Sequence, residues 1–561
     1  MEGNEKITGA RFIAETLKGY GVTHVFYVDA ILRKTMVDLE ELGIGRVITH
    51  SEKAAAYMAD GYARVSHKPG VCMAQSVGAA NLAAGLQDAY LGLSPVVALT
   101  GKKPPLFQHR NAYQEIEHAP LFAPVTKYNV DVVTPAQLPF LLRQAFRVAT
   151  SGAPAPVHLD LLGHSGRPLE AAEAALPVVI EEAFTQYPPF RPVPDDASVE
   201  RAAVAITAAK RPVIVAGGGV RLSAAAAEVV ALAEKLSIPV ATSVNGKGTI
   251  VDSHPLSVGV VGTYSVRCAN QVVSEADLVI YIGSHTGDQV TNNWMVPPVG
   301  TPVVQIDIDP AEVGRSYAGA IGIVGDAKAA VARLTNALEA RPTDEQWLKR
   351  AQTLVSIWRD EIEPLRQSDA VPIRPERLCK ELSEALPEDA VLVADTGYSS
   401  IWTATMVYLR HPGQTYLRAA GSLGWAFPAA LGAKCAALER PVICFTGDGG
   451  FWYHLSELET ARRHNINTVT IINNNGGFAQ GIPDVHAMYG DRPGNPAELY
   501  AFEPVNFARI AQEMGCSGIR VEQPDEIAGA IRQALAADTP TVVEVMTGLD
   551  YRAPSPWAPS G

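Results

Sequence analysis

The side chains best placed to do chemistry stand at the ends of two apolar runs. Gly447-Asp448-Gly449-Gly450 follows PVICFT, and the run NTVTII leads into Asn473-Asn474-Asn475. In an open α/β sheet, ligands bind beyond the carboxyl ends of the strands, so two neighbouring strand ends would bring Asp448 and Asn475 together. Asp448 offers an anionic oxygen, Asn475 an amide oxygen and Gly477 a backbone carbonyl. That donor set suits a hard cation of the Mg2+ type, with diphosphate oxygens and water completing the octahedron. Gly449 and Gly450, lacking a Cβ, let a phosphate approach the backbone NH groups where a helix begins. Alone, GDG reads as a turn and an Asn-rich stretch as a cap or loop. Two flanking strand ends make the pair a candidate metal and phosphate site.

Strands and helices must alternate to hold such a site. Residues 1–165 alternate helical segments with β-branched runs (VTHVFYV, GVCMAQS, PVVALTG), the rhythm of a parallel sheet covered by helices. Residues 166–198 are rich in Pro and Glu and read as an ordered but irregular surface connector. A second unit, 199–343, carries RPVIVAGGG, IPVATSV, ADLVIYIGS and TPVVQIDID; a second connector covers 344–371. The third unit, 372–561, carries VLVADTG, PVICFTGDGG, NTVTIINNN and PTVVEVMTG, then a Pro-rich tail from Ala553. The expected architecture is α/β, with three consecutive doubly wound parallel-sheet domains. The tail either folds over the active site, anchored by Trp557, or is disordered.

Composition narrows the function. A net charge of -13 works against sequence-independent binding to nucleic acid. No apolar run reaches the length of a membrane span and the start MEGNEKITGARF lacks a signal-peptide pattern, so the expectation is a cytoplasmic protein without a membrane role. The six cysteines form no CxxC or Cys/His cluster and read as reduced, buried apolar residues.

The GDG motif with its downstream Asn-Asn resembles the metal motif of the thiamine-diphosphate enzyme superfamily. Met58-Ala59-Asp60-Gly61-Tyr62-Ala63-Arg64, Tyr113-Gln114-Glu115 and Pro124-Val125-Thr126-Lys127 resemble its acetolactate synthase and pyruvate oxidase branch. The resemblance spans nearly the whole chain. It implies a pyrimidine-binding domain, a central Rossmann-like domain and a diphosphate-binding domain, with thiamine diphosphate and Mg2+ as cofactors. It places Glu52 on N1′ of the aminopyrimidine, where burial would favour the shared proton and the imino tautomer that activates C2. Leu423 would support the folded coenzyme, and the Gly421 carbonyl would accept from the 4′-amino group, with Ser422 in the same loop. Thr396, Gly397 and Tyr398 resemble a diphosphate-binding loop, while Ser76 and Asn81 lie beside the pyrimidine. Gln114 would face the thiazolium, and Phe478 follows the metal loop. His109, Arg110 and Lys127 are candidates to pair with a substrate carboxylate, or solvated surface charges.

The implied reaction is lysis, decarboxylation or carboligation of a 2-oxo acid or 2-hydroxy ketone. The implied assembly is a homodimer or homotetramer with active sites between subunits. Alternatives are a 2-hydroxyacyl-CoA lyase or oxalyl-CoA decarboxylase-like enzyme, an NAD-binding oxidoreductase on Ala216-Gly217-Gly218-Gly219, and a non-catalytic relative. The chain departs from the resemblance at Phe26-Tyr27-Val28-Asp29-Ala30, where Asp29 is a substrate candidate or a helix N-cap, and at Phe478-Ala479-Gln480-Gly481, where Gln480 is a second candidate. Flavin-binding relatives carry an arginine-containing stretch where this chain has Gly283–Gln289, which argues against FAD. No basic cluster is evident in the sequence there to support an adenine nucleotide or coenzyme A.

Overall fold

The computed structural model describes residues 6–340 and 345–559. The expected boundary at 343/344 lies outside the described residues. Three six-stranded sheets, each parallel throughout, follow one another along the chain.

The first sheet has the spatial order Gly45–Ile48, His24–Tyr27, Gly70–Gln75, Val96–Lys102, Val157–Leu162, Tyr128–Val132. The third runs Thr415–Arg418, Val391–Ala394, Val442–Gly447, Val469–Asn474, Thr541–Met546, Ser517–Val521. In both, the chain visits the positions as second, first, third, fourth, sixth, fifth, so the two outer units share one topology. The middle sheet differs: Ser257–Val260, Val240–Thr242, Pro212–Ala216, Leu278–Ile282, Val303–Asp307, Ile321–Val324, or third, second, first, fourth, fifth, sixth. Central strands such as Pro212–Ala216 and Leu278–Ile282 are buried at every residue, as continuous apolar runs require when helices cover both faces.

The units share cores. One apolar cluster joins the middle and third units, from Val213 and Val279 through Trp358 and Ile362 to Leu378 and Ile443. Another joins the first and third, through Ala55–Ala59, Tyr62 and Ala426–Leu431. Here the helices Glu52–Ser66 and Ala426–Ala436 cross closely because each has a glycine at the crossing. A Cβ on Gly61 would overlap the Ala429 carbonyl, and one on Gly432 the Met58 carbonyl.

Both connectors are more structured than their composition suggests. Glu173–Ala174 pairs antiparallel with Ile7–Thr8, and Phe184 and Tyr187 are buried. The stretch after 344 is mostly one 22-residue helix, Glu345–Arg366. Its apolar stripe Trp347, Leu354, Trp358, Ile362 faces inward, and the Trp347 indole donates to the Pro212 carbonyl at 2.9 Å. The tail packs on the middle unit, where Asn270 Nδ2 donates to the Trp557 carbonyl at 2.8 Å. All six cysteines are buried and unpaired. No helix among the described residues is long and apolar enough to cross a membrane.

Candidate active site

The GDG strand, Val442–Gly447, and the Asn strand, Val469–Asn474, are immediate neighbours, with Gly447 opposite Asn473. Their ends therefore meet. Asp448 opens a short helix, is 3 % exposed, and has its carboxyl pushed up to about 6 by burial. The backbone NH groups of Gly449, Asn475 and Gly477 oppose that shift by favouring the charged form. Asn475 Oδ1 accepts from the Gly477 NH at 3.2 Å, which fixes the loop between them, and Gly476 turns it in the left-handed region at φ 77°. The triple Asn divides its labour. Asn474 is structural, donating to Glu544 at 2.7 Å and accepting from Gly476, whereas Asn473 Oδ1 is buried without a partner.

Around this corner stand the other predicted groups of the third unit. Thr396, Gly397 and Tyr398 follow the adjacent strand Val391–Ala394, with Gly397 at φ 65°. Asp395, 1 % exposed, accepts from the NH groups of Thr396 (2.7 Å) and Gly424 (3.1 Å) and from Thr446 Oγ1 (3.3 Å). Burial pushes its carboxyl up to about 6. A Cβ on Gly450 would sit 2.9 Å from Asp395 Oδ2, and one on Gly449 2.8 Å from Phe478 Cδ1, so neither position takes a side chain freely. Gln480 bridges outward: its amide lies 3.4 Å from the Tyr264 hydroxyl, and its oxygen 3.0 Å from where a Gly397 Cβ would be.

A second cluster forms on the first unit. Glu52 begins helix Glu52–Ser66, capped by Ser51 Oγ accepting from the Ala54 NH at 3.1 Å. Glu52 is partly exposed in the single chain, and its Oε2 accepts from Asn81 Nδ2 at 3.1 Å. Gly78 lies against this side chain, and a Cβ there would come within 2.4 Å of Glu52 Oε1 and displace it. Ser76 Oγ donates to the Gln114 carbonyl at 2.5 Å, and Gln114 stands at φ 59° with its Oε1 buried and unpartnered. Non-glycine residues hold that conformation at a cost of about 1–2 kcal/mol, so the loop is over-determined by its surroundings.

The loop Gly421-Ser422-Leu423 links the two clusters. Asp88, fully buried in the helix that carries Asn81, accepts from the NH groups of Ala420 (2.9 Å), Gly421 (3.2 Å) and Ser422 (3.0 Å). Gln87 Nε2 donates to Ser422 Oγ at 3.2 Å. Arg64 sits behind, with both its Asp60 contacts at 2.7 Å and one to Asp88 at 3.2 Å, and the Trp425 indole donates to Asp60 at 2.9 Å. The ADGYAR motif is thus the buried brace of the loop. Asp88 was missed by sequence reasoning; its one signal was a lone acid in the apolar helix GAANLAAGLQDAYL.

One expectation needs correction, the helix N-cap. The N-cap of helix Arg33–Glu41 is Leu32, without a side-chain cap, and Asp29 instead pairs with Arg33 at 2.7 Å, both side chains exposed. Lys127 is tied to backbone carbonyls, with Nζ 2.5 Å from Ser151 O and 2.8 Å from Ala153 O, which uses two of its three donors. The tail holds to the middle unit through Trp557, as described above. His109 and Arg110 are exposed, and the His109 NH donates to the Glu115 carboxylate at 2.8 Å.

Comparison with known proteins defines the class. Residues 7–121 match the N-terminal, 199–334 the central and 395–545 the C-terminal domain of thiamine pyrophosphate enzymes, and the chain belongs to that family. Within it, the chain is similar to the acetolactate synthases. It is 34% identical to a probable acetolactate synthase large subunit of Methanocaldococcus jannaschii, over 99% of this chain and 94% of the relative. It is 30% identical to the acetolactate synthase large subunit of Lactococcus lactis (96% and 92%) and 29% identical to acetolactate synthase isozyme 1 large subunit of Escherichia coli (99% and 97%).

The family's groups fit the residues present. Asp448 is a buried carboxyl that forms no ion pair among the described residues, and the loop facing it turns at Gly476, where a Cβ would meet nothing within 4 Å, as a magnesium–diphosphate ligand requires.

Proposed function

We propose that the protein is a thiamine-diphosphate- and magnesium-dependent enzyme that breaks or forms a carbon–carbon bond beside the carbonyl of a 2-oxo acid or 2-hydroxy ketone. The observation that carries this reading is the buried Asp448 carboxyl facing the turn of Asn475 and Gly477 across adjacent strand ends. Thiamine diphosphate, when bound, supplies a carbon nucleophile and an electron sink for the cleaved bond.

The chain's own groups divide the remaining work. Asp448, Asn475 and the Gly477 carbonyl hold the metal, and Gly449, Gly450, Thr396, Gly397 and Tyr398 admit the diphosphate. Gly421, Ser422 and Leu423, braced by Asp88, support the coenzyme's fold, with Phe478 beside the metal loop. Glu52, oriented by Asn81, exchanges a proton with the pyrimidine ring; Ser76 positions Gln114, whose free amide oxygen faces the reacting centre. Asp29, His109, Arg110 and Gln480 lie on the substrate side.

Trp452, Tyr453 and Phe478, next to Asp448, are 40%, 52% and 40% exposed in the single chain. Aromatic surface beside a buried acid supports a homodimer or homotetramer in which a partner covers the site. We assign the protein to the cytoplasm, and divide it into domains 1–165, 199–343 and 372–561. The test is Glu52→Gln. It should retain thiamine diphosphate while slowing deuterium exchange at the coenzyme's C2 by orders of magnitude; unchanged exchange would remove Glu52 from its role.

A further inference from the structure

The chain enters helix Glu52–Ser66 through a turn that the first unit does not hold by itself. A helix leaves its first NH groups without partners inside it, and in a capping box a carboxylate at the third helical position accepts from the NH of the N-cap. Here the N-cap is Ser51 and the third helical position is Ala54, whose NH donates to Ser51 Oγ at 3.1 Å. Ala54 has no carboxylate to return. The NH groups of His50 and Ser51, between the end of strand Gly45–Ile48 and the start of the helix, need an acceptor from elsewhere.

Glu457 of the third unit is that acceptor, 407 residues from His50 in the sequence. Its carboxyl is fully buried: Oε1 accepts from the His50 NH at 3.0 Å, Oε2 accepts from Thr460 Oγ1 at 2.7 Å, and the Ser51 NH also favours the charged form. Burial pushes this carboxyl up, and it forms no ion pair among the described residues. Such a group is costly inside a protein unless NH and OH donors satisfy it, so the turn and Thr460 are what make its burial tolerable.

The short helix that carries it, Glu457–Arg463, is seated by Leu458 and Ala461 in the core shared by the first and third units. Two side chains on its outer face add to the grip. Arg463 Nη2 donates to the Ile48 carbonyl at 3.0 Å, and Glu459 Oε2 lies 2.8 Å from His50 Nε2. Both contacts are solvent-exposed and therefore weak beside the buried one.

We propose that Glu457 is a positioning residue for Glu52: by accepting from the turn at His50 it fixes the start of the helix whose first residue is Glu52, so that the carboxyl held by Asn81 meets the pyrimidine ring in one orientation. The role presupposes the proton exchange assigned to Glu52 above. What Glu457 contributes is the reach of an acceptor oxygen rather than its charge, because Oε1 meets the His50 NH while Oε2 meets a hydroxyl, which accepts as readily as it donates.

Three substitutions separate reach from charge. Glu457→Gln keeps an acceptor at the same distance, Glu457→Asp keeps the charge but is one methylene short, and Glu457→Ala loses both. In the full chain without coenzyme, hydrogen–deuterium exchange of a peptide covering residues 48–54 should accelerate at least about tenfold in Glu457→Asp and Glu457→Ala, the value of one hydrogen bond to a charged group, with the strand Val442–Gly447 as reference. At saturating thiamine diphosphate and magnesium, exchange at the coenzyme's C2 should slow by about tenfold in the same two variants. Glu457→Gln should stay near the unmodified chain in both measurements. Should Glu457→Ala fail to fold, the ranking of Glu457→Gln above Glu457→Asp carries the test. Normal C2 exchange in Glu457→Asp, with or without faster amide exchange in the turn, would overturn the positioning role, as would Glu457→Gln slowed as much as Glu457→Asp. Glu52→Gln is the control: unchanged C2 exchange there would mean that the role of Glu52 itself fails, whereas slow exchange in Glu52→Gln beside normal exchange in Glu457→Asp refutes Glu457 alone.

Discussion

Replacing Asp88 by Asn removes one negative charge at the point where the first unit grips the loop 420–424. In the protein, Oδ1 meets two donors, the Ala420 NH and Arg64 Nη2, and Oδ2 meets two more, the NH groups of Gly421 and Ser422. An amide keeps a single acceptor oxygen, so whichever way it is turned its NH2 faces donors. Hydrogen bonds to a charged group are worth about 1.5–3 kcal/mol each, and breaking a buried charged pair costs about 3–5 kcal/mol. These terms overlap, and about 3 kcal/mol is a fair value for the cost concentrated in the loop. At 1.4 kcal/mol per tenfold, local opening becomes about 100-fold more frequent. Hydrogen–deuterium exchange by mass spectrometry reads this directly on a peptide spanning Arg418–Gly424, with the strand Val442–Gly447 as the internal reference. Exchange in the loop peptide should accelerate by that factor while the strand stays protected. An unchanged loop refutes the bracing role, and equal acceleration of both peptides refutes its local character.

Asp448→Ala should abolish magnesium-dependent retention of thiamine diphosphate after gel filtration; unchanged coenzyme and metal content would refute the ligand assignment. Gly432→Ala should lower the thermal midpoint sharply or prevent soluble accumulation, because its Cβ meets the Met58 backbone and two helices must part, typically at about 1–3 kcal/mol or more. An unaltered midpoint would show that the crossing yields. His158 is fully buried and its imidazole is pushed down to about 3 by desolvation. Its unfolded counterpart titrates near 6.5, so the unfolded chain takes up the proton first and stability is lost as pH falls from about 6.5 towards 3. His158→Gln should flatten the drop in denaturant midpoint between pH 7 and 5, and an identical drop would exclude the group.

What could be read from the sequence followed one physical rule. Asp448 and Asn475 were legible because each closes an apolar strand, and adjacency of two strand ends converts a linear pattern into a place. The three parallel sheets were legible for the same reason, since residues buried on both faces must be continuously apolar. Contacts between units carry no such local mark. Asp88 lies on a helix whose neighbours are alanine and leucine, yet it holds a loop more than three hundred residues away. Arg221 and Arg418 look like ordinary surface cations until the fold removes them from water together. Even the helix Glu345–Arg366 escaped notice as a packed element, because its stripe of Trp347, Leu354, Trp358 and Ile362 is diluted by charged residues on the outer face. A buried charge is the common signature of what was missed, and burial is a property of the assembled domains rather than of any segment. The same logic applies to Glu52, partly exposed in the single chain: what surrounds it in the assembly proposed above is not written in its own segment.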